Sequence, residues 1–346
     1  MRVTKYEIDM LGVGAADAIL IRFFDDNDDA YVILVDAGNY GDGEVISKFI
    51  KERYNTNNID LAICTHCDDD HFGGFIYLLE EMKNNPKTSI NIKKILINDP
   101  GLHITHHDVK YYQDINKVRQ KARSVYDGNG KNLLDLIDDL ERIGRLSYSE
   151  AFSDKNNFEF EGIIDILGPS EDYYKLQALL FRTDLHPYDY AIINDEEDAY
   201  ELPNSKEIYS KKLDDIGNDP SHHNKSSIIF LFKPDEEHYF LFTGDADDDS
   251  FSNFKYKEDI DKIKNIYWMK IPHHGSAYNI SNNMVNHIRP KIAYVSTEKY
   301  GHYLDKSVVG ALRRIGTSIY STENTLNLWY QYNTPERDDY SIAEKL

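Results

Sequence analysis

Cysteine is scarce in this chain, and its scarcity excludes a fold held together by disulfide bonds. The 346 residues contain only two cysteines, Cys64 and Cys67. Their C-x-x-C spacing, taken alone, suggests a redox pair. The spacing lies inside a cluster of histidines and carboxylates, with no thioredoxin-like pattern around it. We therefore expect a buried Cys64 and a Cys67 close to that cluster, and we disfavour a redox function.

Long hydrophobic runs are also missing. No stretch approaches the roughly 18 consecutive apolar residues that a membrane-spanning helix needs. Residues 1–6 lack the apolar core of a signal peptide. The sequence therefore predicts a soluble, cytoplasmic protein without a membrane part.

Positive charge is in short supply. Lysine and arginine total 39 against 60 aspartates and glutamates, which gives a formal net charge of −21. Such a surface repels polyanions and disfavours general nucleic-acid coating. It does not exclude an enzyme whose cations lie in a cleft. The hydrophobic content of 41% is sufficient for a substantial core, and we expect a single domain over residues 1–346.

The largest concentration of metal-ligating residue types lies between residues 65 and 74. Two histidines, His66 and His71, bracket three carboxylates and are followed by a Gly-Gly pair. Imidazole nitrogens and carboxylate oxygens are ligands for divalent metals. The apolar run 61–64 predicts a buried strand before the cluster, and 75–79 predicts the start of a helix after it. A solvated acidic turn is the alternative, which the bracketing histidines disfavour. The carboxylates are Asp68, Asp69 and Asp70.

This pattern resembles a known family. The His-x-Asp-x-Asp-His spacing is similar to the His-x-His-x-Asp-His signature of metallo-β-lactamase-fold hydrolases, with Asp68 in place of the second histidine. The variant resembles the hydrolase domain of ComEC-type proteins of bacterial DNA uptake and their free-standing relatives. The resemblance implies an α/β fold, a four-layer αββα sandwich, and a supporting role for Asp36 at a strand end behind the metals. A plain turn cap is the alternative for Asp36.

The remainder of the chain predicts strands and helices on both sides of an irregular region. Residues 100–222 are expected to contain helical and acidic insertions, with few core residues after position 170 and an acidic tract at 195–198. The expected strands are 6–24 as a pair, 31–39, 61–64, 90–97, 159–167, 227–233, 238–243, 265–271, 291–296 and 318–328. The expected helices are 43–54, one from 75, two within 108–150 and one at 308–315.

Three distant motifs agree with the resemblance: Asp245 in a Thr-Gly-Asp, His273-His274 in a Lys-x-Pro-His-His-Gly-Ser, and His302 after a glycine. The resemblance implies two divalent metal ions, one held by His66 and Asp68 and the other by Asp70 and His71. Asp245 would bridge them, since a carboxylate offers two oxygens. His273 or His274, together with His302, would complete the ligand shells, and the sequence leaves open which imidazole of the pair binds metal.

Metal identity and substrate contacts depend on two further residues. Asn224 stands where relatives often have a metal ligand, and an amide oxygen is a weaker ligand than imidazole. With Asp68 also replacing a histidine, Mn²⁺ gains relative to Zn²⁺. We expect Asn224 and Lys270 to contact substrate, with Lys270 holding a phosphate. A solvated lysine at a strand end is the alternative for Lys270.

The resemblance implies a metal-dependent hydrolase, namely a phosphodiesterase or nuclease using a metal-activated hydroxide. Asp70, His274 and His302 are the expected catalytic residues, with an imidazole not bound to metal donating a proton to the leaving group. A phosphorylcholine esterase, a lactonase-type ester hydrolase and a non-catalytic partner subunit that retains the fold are alternatives. The expected partners are a phosphodiester substrate, such as a nucleic acid or nucleotide, and a protein docking on the acidic insertion.

Overall fold

Apolar runs of the sequence form two β-sheets of seven strands each. The computed structural model describes residues 1–109, 114–155, 157–182, 213, 217–298, 304–323, 326–337 and 345–346. The strands in chain order are β1 (Lys5–Met10), β2 (Ala18–Phe24), β3 (Ala30–Ala37), β4 (Asn58–Ile59), β5 (Leu61–Ile63), β6 (Asn91–Ile92), β7 (Lys94–Leu96), β8 (Asp127–Gly128), β9 (Lys131–Asn132), β10 (Ser147–Ser149), β11 (Phe158–Glu159), β12 (Ile164–Gly168), β13 (Ile229–Phe232), β14 (Phe240–Phe242), β15 (Trp268–Lys270), β16 (Ile292–Val295), β17 (Ser318–Ser321) and β18 (Leu328–Tyr332).

The two sheets share one pattern of strand directions. The first has the order β10-β7-β5-β3-β2-β1-β18, and the second has the order β11-β12-β13-β14-β15-β16-β17. In the first sheet β18, β1, β2 and β3 pair antiparallel, and β5, β7 and β10 continue it in parallel. The second sheet likewise has three antiparallel pairings followed by three parallel ones. The small pairs β4–β6 and β8–β9 stand apart.

Helices cover the outer face of each sheet, and an aromatic-rich core fills the space between the sheets. The inner core joins Tyr6 and Phe23 of the first sheet to Phe232 and Trp268 of the second. The predicted four-layer αββα sandwich is confirmed. The helices are α1 (Asp42–Phe49, continued by a π-helix at Ile50–Tyr54), α2 (Asp69–Asn84), α3 (Ile115–Arg123), α4 (Leu133–Arg142), α5 (Glu171–Ala178), α6 (His222–Lys225), α7 (Asp248–Ser252), α8 (Lys257–Lys262), α9 (Asn282–Ile288) and α10 (Lys306–Arg314).

The structure differs from the predicted elements in several places. The strand predicted at 318–328 is two strands in different sheets, β17 at Ser318–Ser321 and β18 at Leu328–Tyr332. Helix α2 begins at Asp69 rather than near residue 75. The prediction placed the start too late because glycine is a poor helix former, whereas the helix continues through the Gly-Gly pair. The strand predicted at 90–97 is two short strands in different sheets, β6 and β7. Helix α5 buries Tyr173 and Tyr174, so this part of the expected insertion does contain core residues.

Some predictions fall outside the described residues. These are the acidic tract at 195–198, most of the segment 183–216, and His302. The division of 1–346 into one domain with insertions at 100–222 stays a prediction. Among the described residues, no helix is long and apolar enough to cross a membrane.

The sheet topology places the polar strand ends at a common edge. The carboxyl ends of neighbouring parallel strands meet at one side of a sheet, which is where ligands bind in open α/β sheets. Five strands contribute here: Asp36 ends β3, His66 follows β5, Asp245 follows β14, His273 and His274 follow β15, and Ser296 follows β16.

A candidate metal centre

The two buried histidines His66 and His71 lie side by side, and in both of them Nε2 is the nitrogen left free to bind a cation. The Nδ1 atom of His66 lies 3.0 Å from the hydroxyl of Thr65, and that of His71 lies 2.8 Å from Asp36 Oδ2. Both Nε2 atoms are buried and have no hydrogen-bond partner among the described residues. The two rings are 4.1 Å apart between centroids. A buried nitrogen without a partner is costly, and two of them side by side fit a cation.

Asp36 orders this pair from behind. Its carboxylate accepts hydrogen bonds from the Thr65 amide at 2.7 Å and the Thr65 hydroxyl at 2.8 Å, in addition to its contact with His71. It therefore supports His71 directly and His66 through Thr65. A carboxylate behind a histidine fixes the tautomer that leaves Nε2 available to a metal.

The carboxylates of the motif lie at the amino terminus of α2. Asp68 is the N-cap residue, but its side chain makes no capping bond. Its Oδ2 lies 3.5 Å from His66 Nε2 instead, and Asp70 Oδ2 lies 3.8 Å from His71 Nε2. Burial raises the pKa of Asp68, but the hydrogen bond from His223 and the proximity of the His66 imidazole outweigh it and hold that pKa far below its ordinary value. Asp68 is therefore a carboxylate at neutral pH.

Asp245 lies opposite both imidazoles. Its Oδ2 is 3.3 Å from His71 Nε2 and 4.0 Å from His66 Nε2. Its Oδ1 accepts from the ammonium of Lys270 at 3.1 Å and from the amide of His273 at 3.2 Å. One oxygen is thus held by the protein, while the other faces the two histidines.

The structure distinguishes between the two histidines of the His-His pair. His274 is buried, and its Nε2 lies 3.2 Å from Asp70 Oδ2 while Nδ1 lies 3.0 Å from the carbonyl oxygen of Ser296. Asp70, His71 and His274 form a group whose ligand atoms could hold one ion, and His66, His71 and Asp245 form another.

His273, predicted as a ligand, is in neither of these groups. Its Nδ1 lies 2.9 Å from Asn279 Oδ1 and 3.2 Å from Asp219, and its Nε2 lies 3.9 Å from Asp245. The ring therefore stands beside the cluster, with its Nδ1 engaged by neighbours that hold it in place. This geometry favours His274 over His273 as a metal ligand.

Lys270 is buried rather than displayed to a ligand. Its ammonium forms an ion pair with Asp17, lies 3.1 Å from Asp245 Oδ1 and donates to the carbonyl of Gly244 at 2.7 Å. Burial lowers the pKa of Lys270, but the two carboxylates outweigh that effect and raise it above its ordinary value. The placement favours an electrostatic support of Asp245 over the predicted contact with a substrate phosphate.

The side-chain amide of Asn224 is oriented by a carboxylate. Its Nδ2 donates to Asp219 Oδ2 at 2.7 Å. Because a carboxylate only accepts hydrogen bonds, this contact fixes which end of the amide carries the nitrogen. The Oδ1 atom is buried and has no partner within the described part of the chain. An oriented amide oxygen of this kind is a ligand type that suits hard cations.

Sequence reasoning missed several residues of the site. His223 lies 2.8 Å from Asp68 and was visible only as a neighbour of Asn224. Asp17 was visible only as part of the turn before β2. Asp219 and Asn279 carried no sequence signal, because their role depends on contacts across the fold. Asn279 donates to Asp219 at 2.8 Å and to the carbonyl of Asp245 at 2.8 Å.

The electrostatics of the centre fit bound cations. Six carboxylates gather here, and Lys270 is the one lysine that pairs with any of them among the described residues. Burial lowers the pKa of His71, but Asp245, Asp70 and Asp36 outweigh burial and hold it well above its ordinary value. Divalent ions would supply the missing positive charge. The six carboxylates are Asp17, Asp36, Asp68, Asp70, Asp219 and Asp245.

The fold and the site define a class: an αββα sandwich with a cluster of histidines and aspartates, able to hold divalent metal, at the edge shared by its two sheets. Residues 11–148 match the family model described as the metallo-beta-lactamase superfamily. The matched region contains the motif from His66 to His71 and the supporting Asp36.

The solved structures that resemble this chain have low sequence identity to it. A long form RNase Z from yeast is 12% identical with a TM-score of 0.43, and the match covers 93% of this chain and 41% of that one. A diphosphatase of the PhnP family is 8% identical with a TM-score of 0.39, covering 95% and 98%. Unliganded yeast PDE1 is 10% identical with a TM-score of 0.40, covering 93% and 98%. The chain thus spans about two fifths of the RNase Z. No curated protein matches this chain.

Proposed function

We propose that this protein is a metal-dependent phosphodiesterase or nuclease. The observation that carries the proposal is the pair of buried, unpartnered Nε2 atoms of His66 and His71 facing Asp245 Oδ2. The likeness of the motif to the ComEC-type hydrolase domain supports phosphodiester as the bond that is cleaved. The negative surface favours small phosphodiesters or nucleotides over long polyanions, which a net charge of −21 repels.

Two divalent cations, Mn²⁺ or Zn²⁺, would fit the donors present. One would be held by His66, Asp68 and Asn224, the other by Asp70, His71 and His274, with Asp245 between them. Bound there, they would lower the pKa of a coordinated water and stabilise the negative charge that develops on a phosphoryl group. His302, predicted to complete a ligand shell or donate a proton, lies outside the described residues.

The residues of the chain orient and neutralise this centre. Asp36 and Thr65 hold the two imidazoles with Nε2 forward. Lys270 fixes Asp245 by one oxygen and leaves the other turned to the histidines. His274 is held by Ser296 on one side and lies against Asp70 on the other. Because its imidazole is placed as a ligand, His274 is poorly placed to give a proton to a leaving group as well.

A panel of substrates tests the proposal. Protein purified without chelators is incubated with Mn²⁺ and, in parallel, with single-stranded DNA, bis-p-nitrophenyl phosphate, p-nitrophenyl phosphorylcholine and a lactone. We expect hydrolysis of DNA or bis-p-nitrophenyl phosphate. Cleavage of the lactone alone would overturn the proposal in favour of an ester hydrolase, and cleavage of the phosphorylcholine ester alone would favour a phosphorylcholine esterase. No cleavage of any compound would favour a partner subunit without activity.

A matched pair of variants ties activity to the centre. Asp70→Asn removes a carboxylate from a candidate ligand group, and the expected loss of activity is about a hundredfold or more. Asp69→Asn changes the adjacent carboxylate, which is exposed and belongs to neither group, and should retain activity. Equal activity of the two variants would count against the assignment.

A further inference from the structure

A second set of metal-ligating side chains lies beside the centre. Cys67, Asp68 and His223 each offer a ligand atom, and these atoms all lie within 4.8 Å of one another. The set contains a thiol and an imidazole, neither of which belongs to any of the three groups that contain His71. A contact between His223 Nδ1 and Asp68 Oδ1 at 2.8 Å already brings two of its members together.

Asp68 belongs both to this set and to the proposed dinuclear centre, and it faces each of them with a different carboxylate oxygen. Its Oδ2 faces His66 Nε2 at 3.5 Å, whereas its Oδ1 faces His223. A carboxylate can bind a different ion through each oxygen. The two sets therefore do not exclude each other.

We propose that Cys67, Asp68 and His223 form a third cation site, which takes a thiophilic divalent ion such as Zn²⁺. A thiolate, an imidazole and a carboxylate are three of the ligand types that zinc combines, with a fourth position left to water. A thiolate also disfavours Mn²⁺ and Mg²⁺ relative to Zn²⁺ and Cd²⁺. The site thus differs in metal preference from the neighbouring centre, which is rich in oxygen ligands.

The exposure of His223 and Asp68 would allow an ion to reach this site from solvent. The side chains of His223 and Asp68 are 28% and 35% exposed, while Cys67 is buried behind them. The ring of Phe181 packs edge-on against His223, with 4.8 Å between centroids, and limits the orientations of the imidazole. Binding would release the thiol proton to solvent, because only the thiolate is a good ligand.

The cysteine content makes the test direct. Cys64 and Cys67 are the only cysteines of the chain, so any metal-thiolate signal comes from one of them. Cys64 is buried, donates to the carbonyl oxygen of His66 at 3.4 Å and is not in the ligand set. Cys64→Ser is therefore the matched control for Cys67→Ser.

The experiment is a titration of the metal-free protein with Co²⁺, followed by the thiolate-to-cobalt charge-transfer band in the near ultraviolet. We expect the band in the wild type and in Cys64→Ser, and its loss in Cys67→Ser and His223→Gln. Zinc analysis after gel filtration should give one ion fewer per chain in Cys67→Ser than in the wild type. Absence of the band in the wild type, or its persistence in Cys67→Ser, would overturn the proposal.

A second measurement covers the case in which Cys67→Ser does not fold. In the wild type, Cd²⁺ should slow alkylation of Cys67 at least tenfold, as read by mass spectrometry of the cysteine-containing peptide. Unchanged alkylation of Cys67 would refute the third site. The outcome is separable from that of the proposed function, since a protein that binds two cations and cleaves phosphodiesters without a thiolate signal keeps the centre and loses only this site.

Discussion

At the scale of single residues, the centre depends on what lies behind each ligand. His66 and His71 could each turn either ring nitrogen toward a cation, and a hydrogen bond on Nδ1 decides the matter. Asp36 accepts from three donors at once. This carboxylate determines the geometry of both histidines although it lies on β3, whereas His66 follows β5 and His71 lies on α2.

Replacing Asp36 by asparagine should weaken metal binding. Asp36 has a φ of 54°, a backbone conformation that asparagine tolerates, so the change leaves the backbone undisturbed. The amide has one acceptor oxygen and turns its NH₂ group toward groups that are themselves donors. We expect Mn²⁺ affinity to fall by about 10–100-fold, measured by calorimetry.

The control for this variant is Asp25→Asn. Asp25 Oδ1 accepts from the amides of Asn27 and Asp29 in the turn between β2 and β3, so it performs a similar task away from the centre. Its substitution should leave Mn²⁺ affinity unchanged. If Asp36→Asn bound Mn²⁺ as tightly as the wild type, Asp36 would have no part in orienting the histidines.

Asn224 offers a prediction about metal choice. Its Oδ1 is presented by the contact of Nδ2 with Asp219. Asn224→His would replace an oxygen ligand by a nitrogen, and we expect the preference for Zn²⁺ over Mn²⁺ to rise by about tenfold or more. Competition between the two ions, followed by metal analysis, measures it. Tightly held zinc at two per chain in wild-type protein purified without added metal would contradict the expected preference for harder ions.

The sequence predicted the residue types of the site better than their partners. The histidines and aspartates of the motif are adjacent in sequence, so their spacing alone predicts a cluster. The partners of Lys270 and His223 could not be predicted, because the direction of each side chain depends on contacts with residues far away in the chain, Asp17 and Asp68. Which histidine of the pair at 273 and 274 faces Asp70 depends likewise on the turn after β15. Both have a positive φ there.

At the scale of elements, helix α2 brings the motif into position. Asp68 and Asp70 lie at its amino terminus, where the helix dipole favours negative charge. Its glycine pair lets the helix approach the end of β3, and the amide of Gly74 donates to the carbonyl of Gly38 at 2.9 Å. This close contact holds α2, which carries His71, against the strand that carries Asp36.

Gly74→Ala should therefore damage both stability and the centre. A Cβ atom at this position would overlap the backbone carbonyl oxygen of Ala37, which cannot move without shifting the strand. We expect a loss of about 1–3 kcal/mol in the free energy of unfolding together with weaker Mn²⁺ binding, from denaturant titration and calorimetry.

A second glycine provides the matched control for Gly74. Gly310 also lies within a helix, α10, but the nearest atom to an added Cβ is Arg314 Nη1 at 3.8 Å. Gly310→Ala should be neutral or stabilising by up to about 1 kcal/mol, because alanine is the better helix former. Equal effects of the two substitutions would show that the close approach of α2 to β3 is not required.

At the scale of the whole molecule, the two sheets each contribute one part of the centre. The first sheet supplies the motif and Asp36, and the second supplies Asp245, Lys270 and the His-His pair. The two-half layout was predictable, because strand-rich blocks flank an irregular region in the sequence. The buried residues within 170–222 could not be predicted, because the sequence of this segment has little hydrophobic periodicity.

The unfolding temperature should report cation binding by the whole molecule. Without cations, the carboxylates at the edge between the sheets repel one another, and Lys270 offsets only part of their charge. Any ligand that binds only the folded state stabilises it, by about 2.7 kcal/mol at a hundred times its Kd. Mn²⁺ at that concentration should raise the Tm of EDTA-treated protein by about 4 °C. Asp70→Asn should reduce this shift and Asp69→Asn should retain it, and a Tm that Mn²⁺ leaves unchanged in the wild type would mean that the edge binds no cation.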